Sequence, residues 1–416
     1  MKFSGLAFVV IMIMVLLDVY TYFVIRSVSS GASSRTKVII SIVYWLISFL
    51  AITGLLLFAF TPQEFLGKKL RMYMFALIIA LLFSKLIASV FFLIDDLRRG
   101  IQWIFSKIFM KGSGTAGDMP VQISRSAFLS WMGITLGGSF LTTMLYGFSN
   151  KYNYQLKKVQ LKFDNLPEGL RGMRVAFFSD VHSGSFDNKK AVARGVELIR
   201  AQKADLIIFG GDLVNDMSSE IDPYMDIFST LEAPMGVYSV LGNHDYGDYA
   251  RWPINGVSKE ENLDILVQRE AQLGWKLLRN EHVILERNGA QFPLIGVENW
   301  SNVGHFPKYG DLPKAYRGTE AFPFKILISH DPSHWDAQIR PDFPDVDLTL
   351  SGHTHGFQFG VEIPGFRWSP VQYIYKEWDG LYENGSQKLY VNPGYGFLGY
   401  PGRVGILPEI TLFEFV

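Results

Sequence analysis

Four long apolar stretches dominate the first 150 residues, and each is long enough to cross a bilayer, which takes about 20 helical residues. They run approximately over residues 5–25, 38–60, 72–94 and 127–148. The first is not followed by a small-residue cleavage site and polar mature sequence, so it does not have the pattern of a cleaved signal peptide. The pattern predicts a transmembrane anchor of about four helices over residues 1–150, followed by a second domain over 151–416.

Two ionisable residues, Asp18 and Lys85, fall inside predicted spans. Charges inside a membrane usually pair or mark a function, so we expect these two to pair with each other. The alternative is that each side chain reaches a nearby headgroup region. The fourth span contains Gly133, Gly137 and Gly138, and small residues of this kind let membrane helices approach closely. The spans carry few polar groups, which argues against a channel or transporter and for an anchor.

The segment between the third and fourth spans is basic and bears on orientation. Residues 101–111 mix apolar side chains with lysines, which is typical of an interfacial helix, and residues 112–117 read as a flexible loop. Lys and Arg number eight in loops one and three and seven on the opposite side, so the positive-inside rule is nearly balanced. Loop three is the most basic segment, and 124–129 resembles a degenerate twin-arginine export signal that lacks its second arginine. We therefore expect a bacterial inner-membrane protein whose C-terminal domain lies on the extracytoplasmic side.

From about residue 158 the pattern changes to short apolar runs that alternate with amphipathic stretches, which indicates an α/β domain. The runs predicted as strands are 174–180, 205–212, 236–245, 324–330, 346–352, 388–392 and 409–415. The stretches predicted as helices are 189–202, 224–231 and 259–273.

Composition changes this picture in two respects. The chain of 416 residues carries 39 basic and 39 acidic side chains, but residues 1–150 hold 13 basic and 5 acidic ones, so the anchor is positive and the remainder negative. No nucleic-acid partner is expected from this balance. Cysteine is absent, which excludes disulfides, thiolate zinc sites and a cysteine nucleophile. The hydrophobic fraction of 49% agrees with a membrane protein.

Polar clusters follow the predicted strands at the points where the strands end. They are Asp180-Val-His182, Gly211-Asp212, Asn243-His244-Asp245, His330 and His353-Thr-His355. Because α/β folds build their sites in the loops after the carboxyl ends of strands, we expect the five clusters to converge. Imidazole and carboxylate ligands together suit two divalent transition-metal ions such as Mn, Fe or Zn. Such a pair activates water near neutral pH and neutralises charge on phosphoryl oxygens.

In this order the clusters resemble the motifs of the calcineurin-like metallophosphoesterase superfamily. Within it, the chain is similar to the membrane-anchored bacterial branch of YaeI-type and YkuE-type phosphodiesterases. The resemblance covers roughly residues 170–416 and includes an ending with Asn392-Pro-Gly and Arg403-x-Gly. It implies a four-layer αββα sandwich after the membrane helices.

The resemblance also implies a role for each motif residue. Asp180, His182 and His355 would hold the first ion, Asp212 would bridge, and Asn243, His330 and His353 would hold the second. His244 would bind the phosphoryl group or protonate the leaving oxygen, and Asp245 would orient it.

These observations predict a membrane-anchored, dinuclear-metal-dependent phosphoester hydrolase, a phosphodiesterase or phosphatase. Its partners would be the lipid bilayer and a phosphoester substrate, which we expect to be lipid-linked or close to the membrane. One alternative is a UDP-diacylglucosamine-type pyrophosphatase that acts on lipid A precursors at the cytoplasmic face. Another is a non-catalytic membrane scaffold with a structural metal site, although the complete ligand set argues against it.

The remaining histidines have simpler interpretations. His334 lies in a predicted helix after Pro332, where it is expected either to pack or to support a metal ligand. His282 is expected at the surface or in packing. His305 lies in an aromatic-rich insert over residues 298–323, which is expected either to pack as an ordinary loop or to line a substrate cleft or the membrane interface.

Overall fold

The computed structural model describes residues 3–61, 66–109, 125–304 and 306–416. They form two compact units, Met1–Tyr146 and Gly147–Val416. The expected flexible loop at 112–117, the first residue of the segment that resembles an export signal and His305 lie outside the described residues.

The first unit is built on four long helices, the last of which runs on into the second unit from residue 147. They are α1 (Phe3–Val28), α2 (Ser34–Phe60), α3 (Lys68–Phe109) and α4 (Ala127–Asn150). All four are long and apolar enough to cross a membrane. Ser33 caps the start of α2 by accepting a hydrogen bond from the backbone N–H of Thr36. The predicted four-helix anchor is therefore present.

Helix α3 is longer than one membrane crossing requires. Its 42 residues span about 63 Å, roughly twice the hydrocarbon core of a bilayer. Residues 101–109, expected as an interfacial helix, are helical and continue α3 without a break. Ion pairs one turn apart, Arg98 with Asp95 and Arg99 with Asp96, stabilise the helix just before residue 101.

Asp18 and Lys85 form the expected ion pair inside the first unit. Ser48 of α2 donates to Asp18 Oδ1 at 2.9 Å, and Lys85 Nζ donates to Ser48 Oγ at 3.2 Å. The Tyr44 hydroxyl donates to the Asp18 carbonyl at 2.8 Å. Because charges in an apolar medium need partners, this buried cluster ties α1, α2 and α3 together.

The small residues of α4 allow a close approach to α3. A Cβ atom on Gly137 would lie 2.5 Å from the Ser84 carbonyl oxygen, and one on Gly133 would lie 2.8 Å from that of Ala88. Ser84 Oγ donates to the Gly137 carbonyl at 2.7 Å. Gly138 faces open space. Two of the three glycines therefore act as the sequence predicted.

The second unit contains two six-stranded mixed sheets and a small hairpin. The first sheet has the order β1-β14-β2-β3-β4-β5, with strands β1 (Gln155–Leu161), β2 (Arg174–Phe178), β3 (Leu206–Phe209), β4 (Val237–Ser239), β5 (Lys276–Leu277) and β14 (Glu409–Phe415). The second has the order β12-β13-β9-β8-β7-β6, with β6 (Glu281–Arg287), β7 (Ala290–Gly296), β8 (Ile326–Ile328), β9 (Leu348–Ser351), β12 (Gly380–Asn384) and β13 (Gln387–Val391). The hairpin pairs β10 (Val361–Ile363) with β11 (Phe366–Trp368).

Helices cover the outer faces of the two sheets. They are α5 (Lys189–Arg200), α6 (Met225–Phe228), α7 (Lys259–Gln272), α8 (Leu312–Tyr316) and α9 (Arg340–Asp342), with a π-helical turn over Trp335–Ile339. Asn188 caps α5, and a capping box formed by Ser258 and Glu261 opens α7.

The alternation of strand residues explains the four layers. In β2, Val175 and Phe177 point into the core between the two sheets. Phe178 points to the other face, where it contacts the rings of Trp275 and Tyr395. Successive strand residues face opposite sides, so each apolar run fills both a central core and an outer core under the helices. This arrangement is the expected αββα sandwich.

Several elements were not predicted from the sequence. The hairpin of β6 and β7, the edge strand β12 and the β10–β11 hairpin were missed, and α6 is a single turn where a longer helix was expected. Strands β2, β3, β4, β8 and β9 are also shorter than the apolar runs that predicted them. Strand β2 ends at Phe178 because the backbone turns at Asp180, whose φ is 53°.

Candidate metal centre

The loops that follow five strands bring the polar clusters into one place. Those after β2, β3 and β4 carry the clusters of the first sheet, and those after β8 and β9 carry the clusters of the second. Neighbouring loops are hydrogen-bonded, since Asp180 N donates to Gly211 O at 2.9 Å and Gly352 N donates to His330 O at 2.9 Å. The convergence expected from the sequence is therefore present in the structure.

Five of the gathered side chains sit on backbone in the left-handed region. The φ angles are 53° at Asp180, 47° at His182, 61° at Asp212, 72° at His353 and 51° at His355. A non-glycine residue in this region costs roughly 1 kcal/mol or more, and such strain concentrates at functional sites. The strained turns aim successive side chains at a common point instead of at opposite faces of a sheet.

The first group of candidate ligands is Asp180, His182 and His355, all of them buried. The Nε2 atoms of the two imidazoles are 2.9 Å apart, and His355 Nε2 lies 3.4 Å from Asp180 Oδ1. Three ligand atoms at such separations can be shared by one ion, since metal–nitrogen bonds are about 2.1 Å long.

The second group is Asp180, Asp212 and His330. His330 Nε2 lies 3.2 Å from Asp212 Oδ2 and 3.9 Å from Asp180 Oδ1. His330 Nδ1 is 2.7 Å from the Gly210 carbonyl, so this nitrogen carries the hydrogen and Nε2 faces the carboxylates. Asp212 Oδ2 is also 3.5 Å from His182 Nε2, which places this carboxylate between the two groups.

Asn243 and His353 lie beside the second group and contact each other. His353 Nδ1 is 2.7 Å from Asn243 Oδ1, and His353 Nε2 is 2.7 Å from the Tyr375 hydroxyl. The ring centres of His353 and His330 are 5.3 Å apart. His353 thus belongs to neither of the two ligand groups within the described residues, because its ring nitrogens contact Asn243 and Tyr375 instead.

The partners of His244 and Asp245 differ from those implied by the resemblance. His244 Nδ1 is 2.7 Å from the Asn215 carbonyl, so Asn215 orients this imidazole. The Asp245 carboxylate instead accepts backbone N–H groups of residues 212, 213, 214 and 242, at 2.8 to 3.2 Å. Asp245 accepts hydrogen bonds from the backbone N–H groups of the turn after β3. Because Asp212 is part of that turn, Asp245 fixes its position.

Burial and mutual charge shape the protonation of the site. Burial raises the pKa of Asp180 to about 6 and lowers the pKa of His182 to about 3. Although burial acts against it, the negative charge of Asp212 raises the pKa of His330 to about 10. Burial also holds the pKa of His355 well below its usual range. The site thus favours neutral imidazoles around His182 and positive charge between His330 and the carboxylates.

The donor set fits divalent transition-metal ions. His330 Nε2 is buried and has no hydrogen-bond partner within the described part of the chain, although it faces two carboxylates. His182 Nε2 and His355 Nε2 lie 2.9 Å apart, so one cation can accept the lone pairs of both nitrogens. The same negative charge that favours a proton on His330 favours a divalent cation in its place.

Some residues that support the site were missed from the sequence. Arg403 is fully buried, donates to the carbonyls of Pro393 and Gly394, and lies 3.4 Å from His355 Nδ1. Tyr375 and Asp331 surround His353 Nε2. The ending that contains Arg403 was noted only as part of the resemblance; an arginine in an otherwise apolar segment was the available signal.

The other two described histidines lie outside the two ligand groups. His334 is buried between Ser329 and Gln338 and stacks on Trp300. His282 is half-buried on β6, where Nδ1 lies 2.8 Å from the Ala315 carbonyl.

Two family profiles match this chain. The family described as "Probable Calcineurin-like phosphoesterase, transmembrane domain" matches residues 3–151. The family described as "Calcineurin-like phosphoesterase" matches residues 173–357. The matched residues belong to the calcineurin-like phosphoesterases. This membership confirms the resemblance, the sandwich fold and the predicted class, a phosphoesterase that carries membrane helices.

Similar proteins with curated descriptions point to the same family. A "Transmembrane protein with metallophosphoesterase domain" from Danio rerio is 29% identical over 61% of this chain and 55% of its own length. "Uncharacterized metallophosphoesterase YkuE" from Bacillus subtilis is 28% identical over 70% of this chain and 97% of its own length. "Phosphodiesterase YaeI" from Escherichia coli is 28% identical over 58% of this chain and 82% of its own length. The alignment thus spans about half of the fish protein and nearly all of YkuE.

Proposed function

We propose that this chain is a membrane-anchored phosphoester hydrolase that uses two divalent metal ions. The observation that carries the proposal is the pair of buried ligand groups that share Asp180, with Asp212 between them. When bound, two divalent cations supply a nucleophile from water near neutral pH and neutralise charge that develops on the phosphoryl oxygens. Neither the lipid A pyrophosphatase nor the non-catalytic scaffold is favoured by the matched relatives.

The geometry supports an assignment of the ligands. Asp180, His182 and His355 would hold one ion, and His330, Asn243 and His353 would hold the other. Asp212 would contact both, because the same oxygen, Oδ2, lies 3.5 Å from His182 Nε2 and 3.2 Å from His330 Nε2. The metals would be Mn, Fe or Zn, which accept mixed nitrogen and oxygen ligands.

His244 is the residue that we propose as proton donor to the leaving oxygen. Its Nδ1 is fixed by the Asn215 carbonyl, and its backbone N–H donates to Asp212 Oδ1 at 2.8 Å. The ring therefore presents Nε2 to the site while Nδ1 keeps its hydrogen. In the protonated ring Nε2–H binds a phosphoryl oxygen or gives its proton to the departing alkoxide.

We further propose that the substrate is lipid-linked or lies close to the membrane, in the bacterial cytoplasmic membrane. Four helices able to span a bilayer precede the site in the same chain. Tethering keeps the site within reach of phosphates borne on lipid and raises their effective concentration. The basic loop between the third and fourth spans supports an extracytoplasmic catalytic unit.

Substitution of Asp212 tests the hydrolase. We expect purified Asp212→Ala to lose bound metal and to hydrolyse bis-p-nitrophenyl phosphate at least about 100-fold more slowly, since even indirect supports of metal ligands cost 10- to 100-fold in affinity or activity. His282→Ala removes a histidine outside the site and is the matched control. This variant should keep its bound metal and the wild-type rate of hydrolysis. Metal analysis and initial rates are measured on the full chain in detergent, after thermal unfolding confirms that each variant is folded. Full turnover by folded Asp212→Ala would contradict the mechanism.

A further inference from the structure

The second unit carries one concentrated apolar surface, here called the hairpin surface. It consists of Phe357, Val361, Ile363, Phe366, Tyr373 and Ile374. Ile363 is 57% exposed and Tyr373 is 78% exposed. Among the described residues of Gly147–Val416, every large aliphatic or aromatic side chain that is more than half exposed belongs to this surface. Exposed apolar side chains gathered in this way mark an interaction site, whereas scattered ones do not.

Hydrogen bonds hold the parts of the hairpin surface together. Strands β10 and β11 pair from Val361–Trp368 to Ile363–Phe366, and residues 364 and 365 form the tip. Ser369 Oγ, next to the end of β11, donates to the Gly356 carbonyl at 2.8 Å. The turn over Pro370–Tyr373 begins at Ser369 and leads directly to Ile374. The surface is therefore one ordered patch formed by a hairpin and two adjoining turns.

Residues 403 and 404 are hydrogen-bonded both to the base of the hairpin and to the last turn of α4. Gly360 N donates to the Val404 carbonyl at 2.8 Å, and Arg403 N donates to the Gly147 carbonyl at 2.9 Å. A Cβ atom on Gly147 would lie 2.7 Å from Val404 Cγ2. Residues 403 and 404 thus contact the hairpin on one side and the last turn of α4 on the other. Since α4 is long and apolar enough to cross a membrane, its last turn would lie at the level where the chain leaves the bilayer.

We propose that the hairpin surface lies in the interface of the same bilayer that the helices cross. Aromatic and aliphatic side chains next to a spanning helix gain free energy when they leave water for the headgroup region. The charged residues of the hairpin already have partners, as Glu362 lies 3.5 Å from Lys157 and Arg367 lies 3.0 Å from Asp379. Docking is therefore apolar and does not depend on anionic lipid.

Two residues of the hairpin surface adjoin the candidate metal centre along the chain. Phe357 follows the candidate ligand His355 by two residues. Ile374 precedes Tyr375, whose hydroxyl lies 2.7 Å from His353 Nε2. Docking would hold this side of the site next to the headgroups, where the phosphate of a lipid substrate lies. This consequence rests on the proposed function, whereas the docking itself does not.

Site-directed labelling tests the docking without any activity measurement. The chain has no cysteine, so Ile363→Cys introduces a unique thiol for an environment-sensitive fluorophore. Ile284→Cys on β6 is the matched control, because Ile284 is also an exposed isoleucine on a strand of this unit. In phosphatidylcholine nanodiscs we expect a blue-shifted emission at position 363, quenching by lipids that carry a nitroxide, and protection from aqueous iodide. Position 284 should be quenched by iodide alone.

The alternative occupants give different results. Equal iodide quenching at both positions in nanodiscs would overturn the proposal. A blue shift at 363 that persists in detergent, together with a dimer by light scattering, would identify a second copy of this chain as the partner and would also overturn it.

A double substitution separates docking from catalysis. We expect Ile363→Ser with Phe366→Ser to keep its rate on soluble bis-p-nitrophenyl phosphate and to lose turnover of a phosphodiester lipid in nanodiscs. If the double variant hydrolyses both substrates at the wild-type rate, docking does not control access of the lipid substrate to the site. If the wild-type chain hydrolyses neither substrate, the proposed function fails, and the label at position 363 still decides the docking.

Discussion

At the scale of single residues, burial of ionisable groups is not confined to the metal centre. Glu270 of α7 is completely buried, and its carboxyl accepts a hydrogen bond from Ser239 Oγ of β4. Its second oxygen, Oε1, has no hydrogen-bond partner within the described part of the chain. Burial raises the pKa of Glu270 to about 8. A carboxyl held in this way favours the neutral form in the folded protein.

Glu270→Gln should therefore remove a pH-dependent loss of stability. The pKa in the folded chain lies above that in the unfolded chain, so the folded state binds the proton more tightly, and stability falls as pH rises from about 4.5 to about 8. Over that pH range the free energy of unfolding of the variant should rise relative to that of the wild type by up to roughly 1.4 kcal/mol per pH unit. Thermal unfolding of the full chain at pH 5, 6.5 and 8 measures the difference.

The exposed glutamate Glu260 on the same helix provides the control. Glu260→Gln should follow the wild type closely at all three pH values. A stability difference between Glu270→Gln and wild type that is the same at pH 5 and pH 8 would contradict a buried, neutral Glu270.

At the scale of elements, the packing of α4 against α3 depends on which side of the helix a glycine faces. Gly133 and Gly137 meet backbone carbonyls of α3, whereas Gly138 is one residue further and faces open space. In a membrane, helices associate through such close backbone contact because lipid offers no hydrophobic driving force between them. The sequence indicates that small residues are present; the rotation of the helix decides which of them matter.

Gly137→Ala and Gly138→Ala form a matched pair that tests this contact. The Gly137 substitution places a methyl group 2.5 Å from the Ser84 carbonyl, so the helices must separate, and we expect a loss of about 1–3 kcal/mol. Gly138→Ala meets no neighbour and should be neutral or gain up to about 1 kcal/mol from helix propensity. Unfolding by SDS titration in mixed micelles measures both. Equal stabilities for the two variants would show that α3 and α4 do not approach closely at Gly137.

At the scale of the whole molecule, charge is divided between the two parts of the sequence. The excess of basic residues lies in 1–150 and the excess of acidic residues in 151–416. Part of the basic charge near loop three is already paired, since Arg98 contacts Asp95 and both Arg99 and Arg125 contact Asp96. Orientation follows Lys and Arg more than net charge, so these pairs leave the expected orientation unchanged.

A fusion of alkaline phosphatase to the C-terminus tests this orientation in bacterial cells. An extracytoplasmic C-terminus should give an active fusion, because alkaline phosphatase needs an oxidising compartment for its disulfides. A green fluorescent protein fused at the same position should then be dark. A fluorescent fusion together with inactive phosphatase would place the catalytic unit in the cytoplasm and reverse our proposal for its location.

The sequence by itself determined the features that depend on neighbouring residues. The length of the apolar stretches identified the four spans. Short apolar runs identified β2, β3, β8, β9 and β14, because a strand buried on both faces has a local run of apolar residues. The polar residues after the runs of β2, β3, β4, β8 and β9 supplied the candidate ligands. The resemblance to a known family added the two-layered sheet core and a role for each ligand.

The tertiary structure alone decided what depends on residues far apart in the chain. His353 N donates to Asp180 across 173 positions, and the contact between His182 and His355 spans the same separation. Asn215 instead of Asp245 orients His244, and the apolar hairpin lies beside the end of α4 because both are bonded to residues 403 and 404. Such contacts are set by how the sheets pack and how the loops turn, and no local periodicity encodes them.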